Sequence, residues 1–404
     1  MAKTLLTPDQ ITAEALTILK NNLVFVGQVD KQHDKETTIG GQKTGGTIKI
    51  RQPIQYTVRD GWPINAQDPV EEYETLTIGT IKGVDINFTE SELALDLNSF
   101  SKQFLEPAMI RLATEIDLLA FQQAYKGVYN SVGTPGTTPA TAQVYLDAGT
   151  KLSNFACPTA GRKCIINPAA QGATVGALLP LFNAQGAISD MFKTGQIGKN
   201  ILGFDFFVSQ NVPNHTCGSR SGTTLIDEDS GTNLVEGSEA VDIDGLGGAT
   251  QTLAAGDVFT VSSVYGVNPV QKQALPDLQQ FVAVNAETGS GSQFTADFKP
   301  YTRSTGARKT VDALMVNGAT VTFTGTASTA YPQNLAFNPE FYTFATANLE
   351  MPSDVSFKAQ KSLDGINMRI LRQFDINNSN HPCRIDIFWG GLVQRPAYAC
   401  RIWG

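Results

Sequence analysis

The feature that most constrains the fold is a long run with helical periodicity between Ser99 and Gly127. Its apolar residues recur at alternating intervals of four and three, which places them on one face of an α-helix: Leu105, Met109, Leu112, Ile116 and Leu119. Pro107 suits the first turn, and Gly127 after Lys126 is a usual stop. At about 1.5 Å per residue the predicted helix is a rod of roughly 30 Å. Such a rod is a scaffold element and does not by itself indicate catalysis.

The composition is that of a folded chain with several domains. The 404 residues are too many for one simple core, so we expect two or three domains. A hydrophobic share of 41% with 17% charged residues is typical of globular proteins and too apolar for a disordered chain. The formal net charge of −8 argues against general nucleic-acid binding, which needs clustered Lys and Arg. If the chain faces DNA, we expect it not to bind it tightly.

Cysteine usage and the N-terminal sequence indicate a reducing compartment. Five cysteines are an odd number spread along a large chain, which does not fit a disulfide framework: Cys157, Cys164, Cys217, Cys383 and Cys400. The start, MAKTLLTPDQ, has no apolar core followed by a small-residue cleavage site, and no apolar run is long enough to cross a bilayer. We therefore expect a soluble protein made in a cytoplasm, with no membrane partner.

The N-terminal region predicts an arm followed by a long hairpin. Thr7 and Pro8 are good helix-start residues, so a short helix should run to Asn22, and the polar run DKQHDKETTIGGQKTGG then indicates a flexible link. Two alternating runs should pair across a turn at 59–61. Such a hairpin is marginal alone and should lean on something else, for example another subunit. The helix face is Ile11, Ala15, Ile18 and Leu19; the strands carry Ile48, Ile50, Ile54, Tyr56 and Val58, then Val84, Ile86 and Phe88.

The region after the long helix predicts an α+β domain with a β-rich insertion. The turn-rich SVGTPGTTPATAQ leads to a helix over 144–152, the buried strand RKCIINP, a helix around 178–182 and the strand-like GFDFFVSQNVP. From about 215 to 331, Gly, Thr, Ser and Val dominate between short strand patterns such as DVFTVSSVYGV. Many short strands between Gly-rich turns are typical of a small barrel or sandwich. Since the later patterns resume the earlier domain, the β segment is interpreted as an insertion.

These pieces, in this order, resemble the major coat proteins of tailed double-stranded DNA bacteriophages. The sequences of individual segments narrow the resemblance to the coat proteins of short-tailed Salmonella phages and their relatives. The resemblance covers nearly the whole chain. No single motif is chemically diagnostic, but several in the right order are specific. The segments that carry it are GGTIKIRQPIQYTVRDGW, GFDFFVSQNVPNHT, GDVFTVSSVYGVNPVQKQALPDLQQFVAV, NLAFNPEFYTFAT, RILRQFDI and CRIDIFWGGLVQRPAYA.

The resemblance implies an α+β fold of the Hong Kong 97 capsid type, with a long spine helix, an extended β-hairpin loop and an inserted small β-barrel. The implied organisation is an N-terminal arm (1–34), the extended loop (35–95), the spine helix of a peripheral domain (96–130, with strands from 355–404), an axial domain (131–213), the inserted barrel (214–332) and the remainder of the axial and peripheral domains (333–404). Linkers at Gly40–Gly46 and Ser131–Thr138 are the hinges that we expect to serve shell expansion.

The function implied by the resemblance is that of a major capsid protein that assembles into an icosahedral shell around a phage genome. The implied partners are other copies of the chain in hexamers and pentamers, a scaffolding protein, a portal protein and, in some relatives, a decoration protein. The shell would enclose double-stranded DNA without specific binding, and the protein would be assembled in the host bacterial cytoplasm and end in the virion. Two alternatives stay open: an encapsulin-like protein compartment and a surface β-rich binding protein.

Candidate chemical sites are few, and the sequence predicts no catalytic, cofactor-binding or metal site. Two Asn-His-x-Cys repeats, at 214–217 and 380–383, offer two imidazoles and two thiols, but zinc ligands are usually separated by two to four residues. Burial of the cysteines as small hydrophobes explains them better. Three histidines leave little scope for nucleophile and base pairs, and no Gly-x-Ser-x-Gly elbow is present.

Three further motifs have simpler interpretations. Gly40-Gly41-Gln42-Lys43-Thr44 lacks the glycine directly before the lysine of a phosphate loop and is interpreted as a linker. His33 and Asp34 have no second pair that would make a metal phosphohydrolase. The acidic run 227–229 lacks the spaced oxygen ligands of an EF-hand loop.

Overall fold

The chain divides into two compact units. A computed structural model describes residues 8–31, 47–59, 61–62, 64, 66–68, 71–88, 104–178, 197–198, 200–227, 234–248, 250–355, 357–375 and 381–404. Unit 1 comprises Met1–Ile50, Tyr73–Phe121 and Tyr342–Gln394, and unit 2 comprises Arg51–Glu72, Gln122–Phe341 and Arg395–Gly404. None of the described helices combines the length and apolarity that a membrane span requires.

The predicted long helix is present as α2, Glu106–Lys126, and it ends at Gly127 as expected. Four of the five predicted apolar positions are buried, whereas Leu119 is only half-buried and the adjacent Ala120 is buried instead. The buried face is broader than the leucine stripe because small and aromatic side chains extend it. Phe121, for example, stacks on Phe25 with ring centroids 4.7 Å apart.

Unit 1 is built on a five-stranded sheet in the order β17-β20-β19-β18, with β3 also paired to β20. Helix α1, Pro8–Asn22, packs on β18 and β19 with Ile11, Ala15 and Leu19 buried, so the predicted amphipathic helix covers a sheet of its own unit. The strands are β3 Thr80–Phe88, β17 Tyr342–Ala347, β18 Phe357–Leu363, β19 Ile366–Arg372 and β20 His381–Val393.

The predicted strand pairing of the hairpin is wrong. The partner of β1, Thr47–Arg51, is β2, Tyr73–Thr77. The run with Val84 and Ile86 is β3, which pairs antiparallel with β20 and places Val84 opposite Ile385. Residues of one alternating run do not reveal their partner, because strand pairing is set by tertiary packing. The short polar alternation of β2 is a weaker signal than the apolar one of β3.

The α+β part of unit 2 holds a second sheet in the order β4-β21-β16-β5-β6, with β7 also paired to β16. Its core joins the buried Tyr145 and Leu152 of α3 to Cys164 of β5 and Cys400 of β21. The helix predicted around 178–182 begins earlier, as α4, and 179–182 lie outside the described residues. The elements are β4 Ser131–Val132, α3 Ala142–Asn154, β5 Lys163–Ile166, α4 Pro168–Leu178, β6 Asp205–Val208, β7 Asn214–Thr216, β16 Ala330–Phe337 and β21 Ala399–Trp403.

The β-rich segment forms a sheet in the order β15-β11-β12-β14-β9-β8. The outer strand β8 meets the segment that leads into the other outer strand, β15, since the amide of Ile226 donates to the carbonyl of Ala319 at 2.9 Å and Leu225 forms a bridge with Thr320. The sheet therefore closes into a small barrel around an aliphatic and aromatic core. At the base of the barrel Asn214 pairs with Pro332. The strands are β8 Gly222–Ile226, β9 Ser238–Leu246, β11 Val258–Val267, β12 Ala274–Ala283, β14 Phe294–Thr302 and β15 Val321–Phe323, beside the short pair β10 Thr252–Leu253 and β13 Glu287–Thr288.

Candidate functional site

The two His and Cys pairs flagged in the sequence belong to different units. His215 and Cys217 are buried in unit 2, at β7, whereas His381 and Cys383 lie on β20 of unit 1. In the part of the chain that the structure describes, the group with metal-ligand geometry is His215, Cys217 and Asp257, whose ligand atoms lie within 4.8 Å of one another. Asp257 directly precedes β11 of the barrel and was not singled out by sequence reasoning.

Asp257 is the centre of a buried polar cluster at the base of the barrel. One carboxylate oxygen accepts a hydrogen bond from Nε2 of His215 at 3.0 Å. The other accepts from the amide of Ala254 at 2.8 Å and the amide of Gly218 at 3.2 Å, and it pairs with Nη1 of Arg220. Burial opposes ionisation of Asp257, but the His215 hydrogen bond and the charge of Arg220 outweigh it, and its pKa lies below the usual value. The carboxylate is therefore charged and fully partnered.

His215 is held as a neutral imidazole. Because Nε2 donates to Asp257, the proton lies on Nε2, and Nδ1 accepts from the hydroxyl of Tyr125 at 3.5 Å. Burial lowers the pKa of His215, although the hydrogen bond to Asp257 acts in the opposite direction. The ring is therefore uncharged at neutral pH.

A second arginine completes the cluster from the C-terminal strand. Arg401 on β21 is fully buried, and its Nε donates to Gln333 at 2.8 Å. Its Nη1 donates at 2.6 Å to the carbonyl of Gly256, a residue with φ of +98° that favours glycine. Burial lowers the pKa of Arg401 to about 10, so the guanidinium stays charged at neutral pH. We name His215, Arg220, Asp257, Arg401 and Tyr125 the Asp257 cluster.

The donor set of the Asp257 cluster does not suit a divalent metal. A thiolate is the form of cysteine that binds zinc, but burial raises the pKa of Cys217 to about 11. Arg220 already occupies one carboxylate oxygen, and two guanidinium groups would oppose a dication. The cluster is therefore a structural joint between the barrel and the sheet that carries Arg401. Sequence reasoning missed it, and an arginine inside the apolar run of β21 is the signal by which it could have been found.

Several predicted motifs lie outside the described residues. These are the glycine-rich segment 40–44, the pair His33 and Asp34, and positions 228–229 of the acidic run. The second predicted hinge, Ser131–Thr138, is described and is not a free linker at its start. The amide of Ser131 donates to Gln280 at 2.7 Å, and the side-chain amide of Gln280 returns a hydrogen bond of 3.0 Å to the carbonyl of Ser131.

Among the described residues of unit 2, the most exposed apolar side chains lie in Arg51–Glu72, which we name the long loop. Val58 and Trp62 are 96% and 90% exposed, and Ile64 and Tyr56 are also well exposed. The loop nevertheless has internal order, because the backbone of Thr57 exchanges two hydrogen bonds with the side chain of Gln67, of 2.9 and 2.6 Å. Concentrated exposed apolar residues of this kind mark protein-interaction surfaces.

Comparison with known proteins gives one decisive match. The family model described as P22 coat protein, gene protein 5, matches residues 9–401, which is nearly the whole chain. A search of curated proteins gave no significant match.

Among solved structures, the chain is similar to proteins from several sources. A structure titled "Mycobacterium phage Che8" shares 14% identity, covers 94% of this chain and 90% of its own, and has a TM-score of 0.49. The capsid structure of the cyanophage P-SCSP1u shares 12% identity over 89% and 84%, with a TM-score of 0.43. A virus-like particle from Pyrococcus furiosus shares 9% identity over 98% of both chains, with a TM-score of 0.38.

Those structural scores lie below 0.5, so the assignment rests on the family match rather than on them. That match spans both units, including the barrel and the sheets on either side of it in sequence. The chain therefore belongs to the P22 coat protein family and is a major capsid protein of a tailed phage, with the Hong Kong 97-type fold, that forms an icosahedral shell.

Proposed function

We propose that the long loop is a contact through which one subunit holds the next in the shell. The observation that carries this proposal is the exposure of Tyr56, Val58, Trp62 and Ile64 in one short segment. Full burial of an apolar side chain against an apolar surface contributes about 1.5–3 kcal/mol to the free energy of association. A second copy of the chain is the partner, since the family forms a shell from many copies. Repetition of such a contact over a closed lattice multiplies its effect.

The remaining parts of the assembly are proposed on the resemblance. A scaffolding protein sets the curvature, a portal protein occupies one vertex, and decoration proteins bind outside in some relatives. Assembly takes place in the host bacterial cytoplasm, and the domain boundaries are those given above, with 214–332 as the insertion. The subunit has a structural role and catalyses no reaction.

The relation to the genome follows from charge. A net charge of −8 gives a shell wall that encloses double-stranded DNA without binding it specifically. Salt-dependent tight binding of the free subunit to DNA would contradict this part of the proposal.

Tryptophan fluorescence tests the role of the long loop. The chain has three tryptophans, and Trp389 and Trp403 are buried, so acrylamide quenching of the free subunit reports mainly on Trp62. We expect quenching to fall when the subunit, expressed with its scaffolding protein, is collected as closed shells seen by electron microscopy. Equal quenching in subunits and shells would contradict burial of the loop.

A matched pair of variants separates the loop from general surface effects. Ile64→Ser removes an exposed apolar side chain from the long loop, and Val316→Ser removes one from the barrel. We expect Ile64→Ser to reduce the yield of shells and Val316→Ser to leave it unchanged. Equal yields from both variants would argue against the loop as the contact, and a soluble monomer from the unaltered chain would overturn assembly itself.

A further inference from the structure

The two ends of the long loop, residues 52–55 and residue 72, are attached to the barrel of the same chain, and we name them the root of the loop. Glu72, at the end of the loop, faces two arginines of the barrel: its Oε2 lies 2.6 Å from Nη1 of Arg308 and its Oε1 lies 3.5 Å from Nη1 of Arg303. Both arginines and the whole loop belong to unit 2. The loop therefore packs with the barrel rather than as an isolated hairpin.

Further hydrogen bonds reinforce this attachment at the N-terminal end of the loop. Nη2 of Arg308 donates to the carbonyl of Pro53 at 3.4 Å, and Nζ of Lys272 donates to the side chain of Gln55 at 3.2 Å. The two segments of the root are joined to each other by the amide of Gln52, which donates to the carbonyl of Glu72 at 2.8 Å. Arg308 thus contacts both sides of the root.

The arginines are themselves held in place. The amide of Arg303 donates to the hydroxyl of Thr310 at 3.0 Å, and its carbonyl accepts from the amide of Thr310 at 2.9 Å. The adjacent Ser304 donates its amide to the carboxylate of Glu236 at 3.0 Å. The barrel therefore presents Arg303 and Arg308 from a fixed turn, which can set the direction of whatever binds them.

We propose that the barrel orients the long loop through Glu72, so that loop and barrel act as one contact arm for a second copy of the chain. This inference rests on the proposed role of the loop in assembly. Orientation of the loop before contact lowers the entropy lost when its apolar tip docks. Two cations, Arg303 and Arg308, face Glu72, so loss of the Glu72 charge leaves both without that counter-charge.

Spin-label distances in the free subunit test the orientation directly. Val58 at the loop tip and Val316 on the barrel are exposed, and the five native cysteines are buried, so Val58→Cys and Val316→Cys can be labelled selectively. We expect one narrow distance distribution. Glu72→Gln should roughly double its width, because local order is lost where the contacts that maintain it are lost. Glu71→Gln is the matched control, since Glu71 carries the same charge but pairs with the exposed Arg51 of the loop itself.

Arg308→Gln provides a second route to the same test. It should broaden the distribution as Glu72→Gln does, and the double variant should broaden it by less than the sum of the two single effects, because both variants remove the shared Glu72–Arg308 pair. Unchanged distributions in Glu72→Gln and Arg308→Gln would overturn the proposal. Equal broadening by Glu71→Gln would overturn it as well.

Assembly provides the functional readout. Shells should form roughly two- to fivefold more slowly from Glu72→Gln than from the unaltered chain, as the usual strength of such ion pairs implies, and Glu71→Gln should match the unaltered chain. A broadened distribution with normal assembly would overturn the functional part. Failure of the unaltered chain to assemble would instead refute the proposed role in assembly, while the distance measurement on free subunits would remain valid.

Discussion

Two arginine–carboxylate groups lie where the barrel meets other parts of unit 2, and they differ mainly in burial. In the Asp257 cluster the carboxylate is fully buried and the Arg220 side chain is 6% exposed. At the root of the long loop, the side chains of Glu72 and Arg303 are about one third exposed and that of Arg308 is 12% exposed. The same pairing chemistry therefore operates in two different dielectric environments.

The comparison shows why a capsid subunit can use both kinds of joint. A buried charge that loses its partner is costly, so the Asp257 cluster fixes the barrel on the sheet of β21. A partly exposed pair is weaker and is screened by salt, so the loop root can be held and released at smaller cost.

Replacement of Asp257 should have the largest effect. Asp257→Asn leaves Arg220 buried without its counter-charge, and we expect a loss of about 3–5 kcal/mol in the free energy of unfolding. Urea unfolding of the subunit measures it. The control is Asp277→Asn, which breaks the 2.9 Å pair with Lys151 at an exposed carboxylate and should cost at most about 1 kcal/mol. Equal losses in the two variants would remove the distinction drawn from burial.

As the pH falls, protonation linked to His215 should lower the stability of the subunit before Asp257 is protonated. Burial lowers the pKa of His215, so the unfolded chain takes up this proton first and stability falls as the pH drops below about 6.5. The pKa of Asp257 is also lowered, and its contribution is lost only below about pH 4. Between pH 7.5 and 5.5 we expect a loss of about 1 kcal/mol. His215→Gln should abolish this dependence and His381→Gln should retain it; a slope unchanged in His215→Gln would contradict the assignment.

Salt should weaken the loop root but not the buried cluster. A double-mutant cycle of Glu72→Gln and Arg308→Gln should give a coupling energy of about 0.2–1 kcal/mol at low salt. At 1 M NaCl, where the screening length falls to about 3 Å, this coupling should nearly vanish. The loss caused by Asp257→Asn should be the same at both salt concentrations. A salt-insensitive coupling at the loop would show that its root behaves as a buried pair.

Added zinc should have no effect on the stability of the subunit. A bound metal at a hundred times its dissociation constant would stabilise the subunit by about 2.7 kcal/mol. Because Cys217 is a protonated thiol and Arg220 occupies Asp257, we expect the unfolding temperature to stay unchanged with added zinc or with a chelator. A rise with zinc that disappears in Cys217→Ala would show a metal site and overturn this interpretation of the cluster.

Local patterns predicted local structure well. The repeat of apolar residues from Leu105 to Ile116 and the stop at Gly127 predicted α2, because helical contacts lie within four residues along the chain. The Gly-rich turns between short strands likewise predicted a small barrel within an α+β chain. Cys164, Cys217, Cys383 and Cys400 are buried, as the small-hydrophobe interpretation predicted.

Pairing across the chain was predicted poorly. Val84 and Ile86 alternate as a strand should, but nothing in that alternation names β20 as their partner. The zinc alternative grouped His215 with His381 because both lie in an Asn-His-x-Cys sequence, whereas the partner of His215 is Asp257. Ser131 lies in a turn-rich stretch that suggested a hinge, and its three hydrogen bonds to Gln280 come from the barrel.

The sequence by itself determined the helices α1 and α2, the β-rich segment and the membership of a coat protein family, because periodicity, turn residues and family motifs are local properties of the chain. The tertiary structure alone decided which strand accompanies β1, that Arg401 shares a buried cluster with Asp257, and that Glu72 attaches the long loop to the barrel. Those features join residues that are distant along the chain, by more than a hundred positions in the second and third cases, and their strength depends on burial, which exists only once the chain has folded.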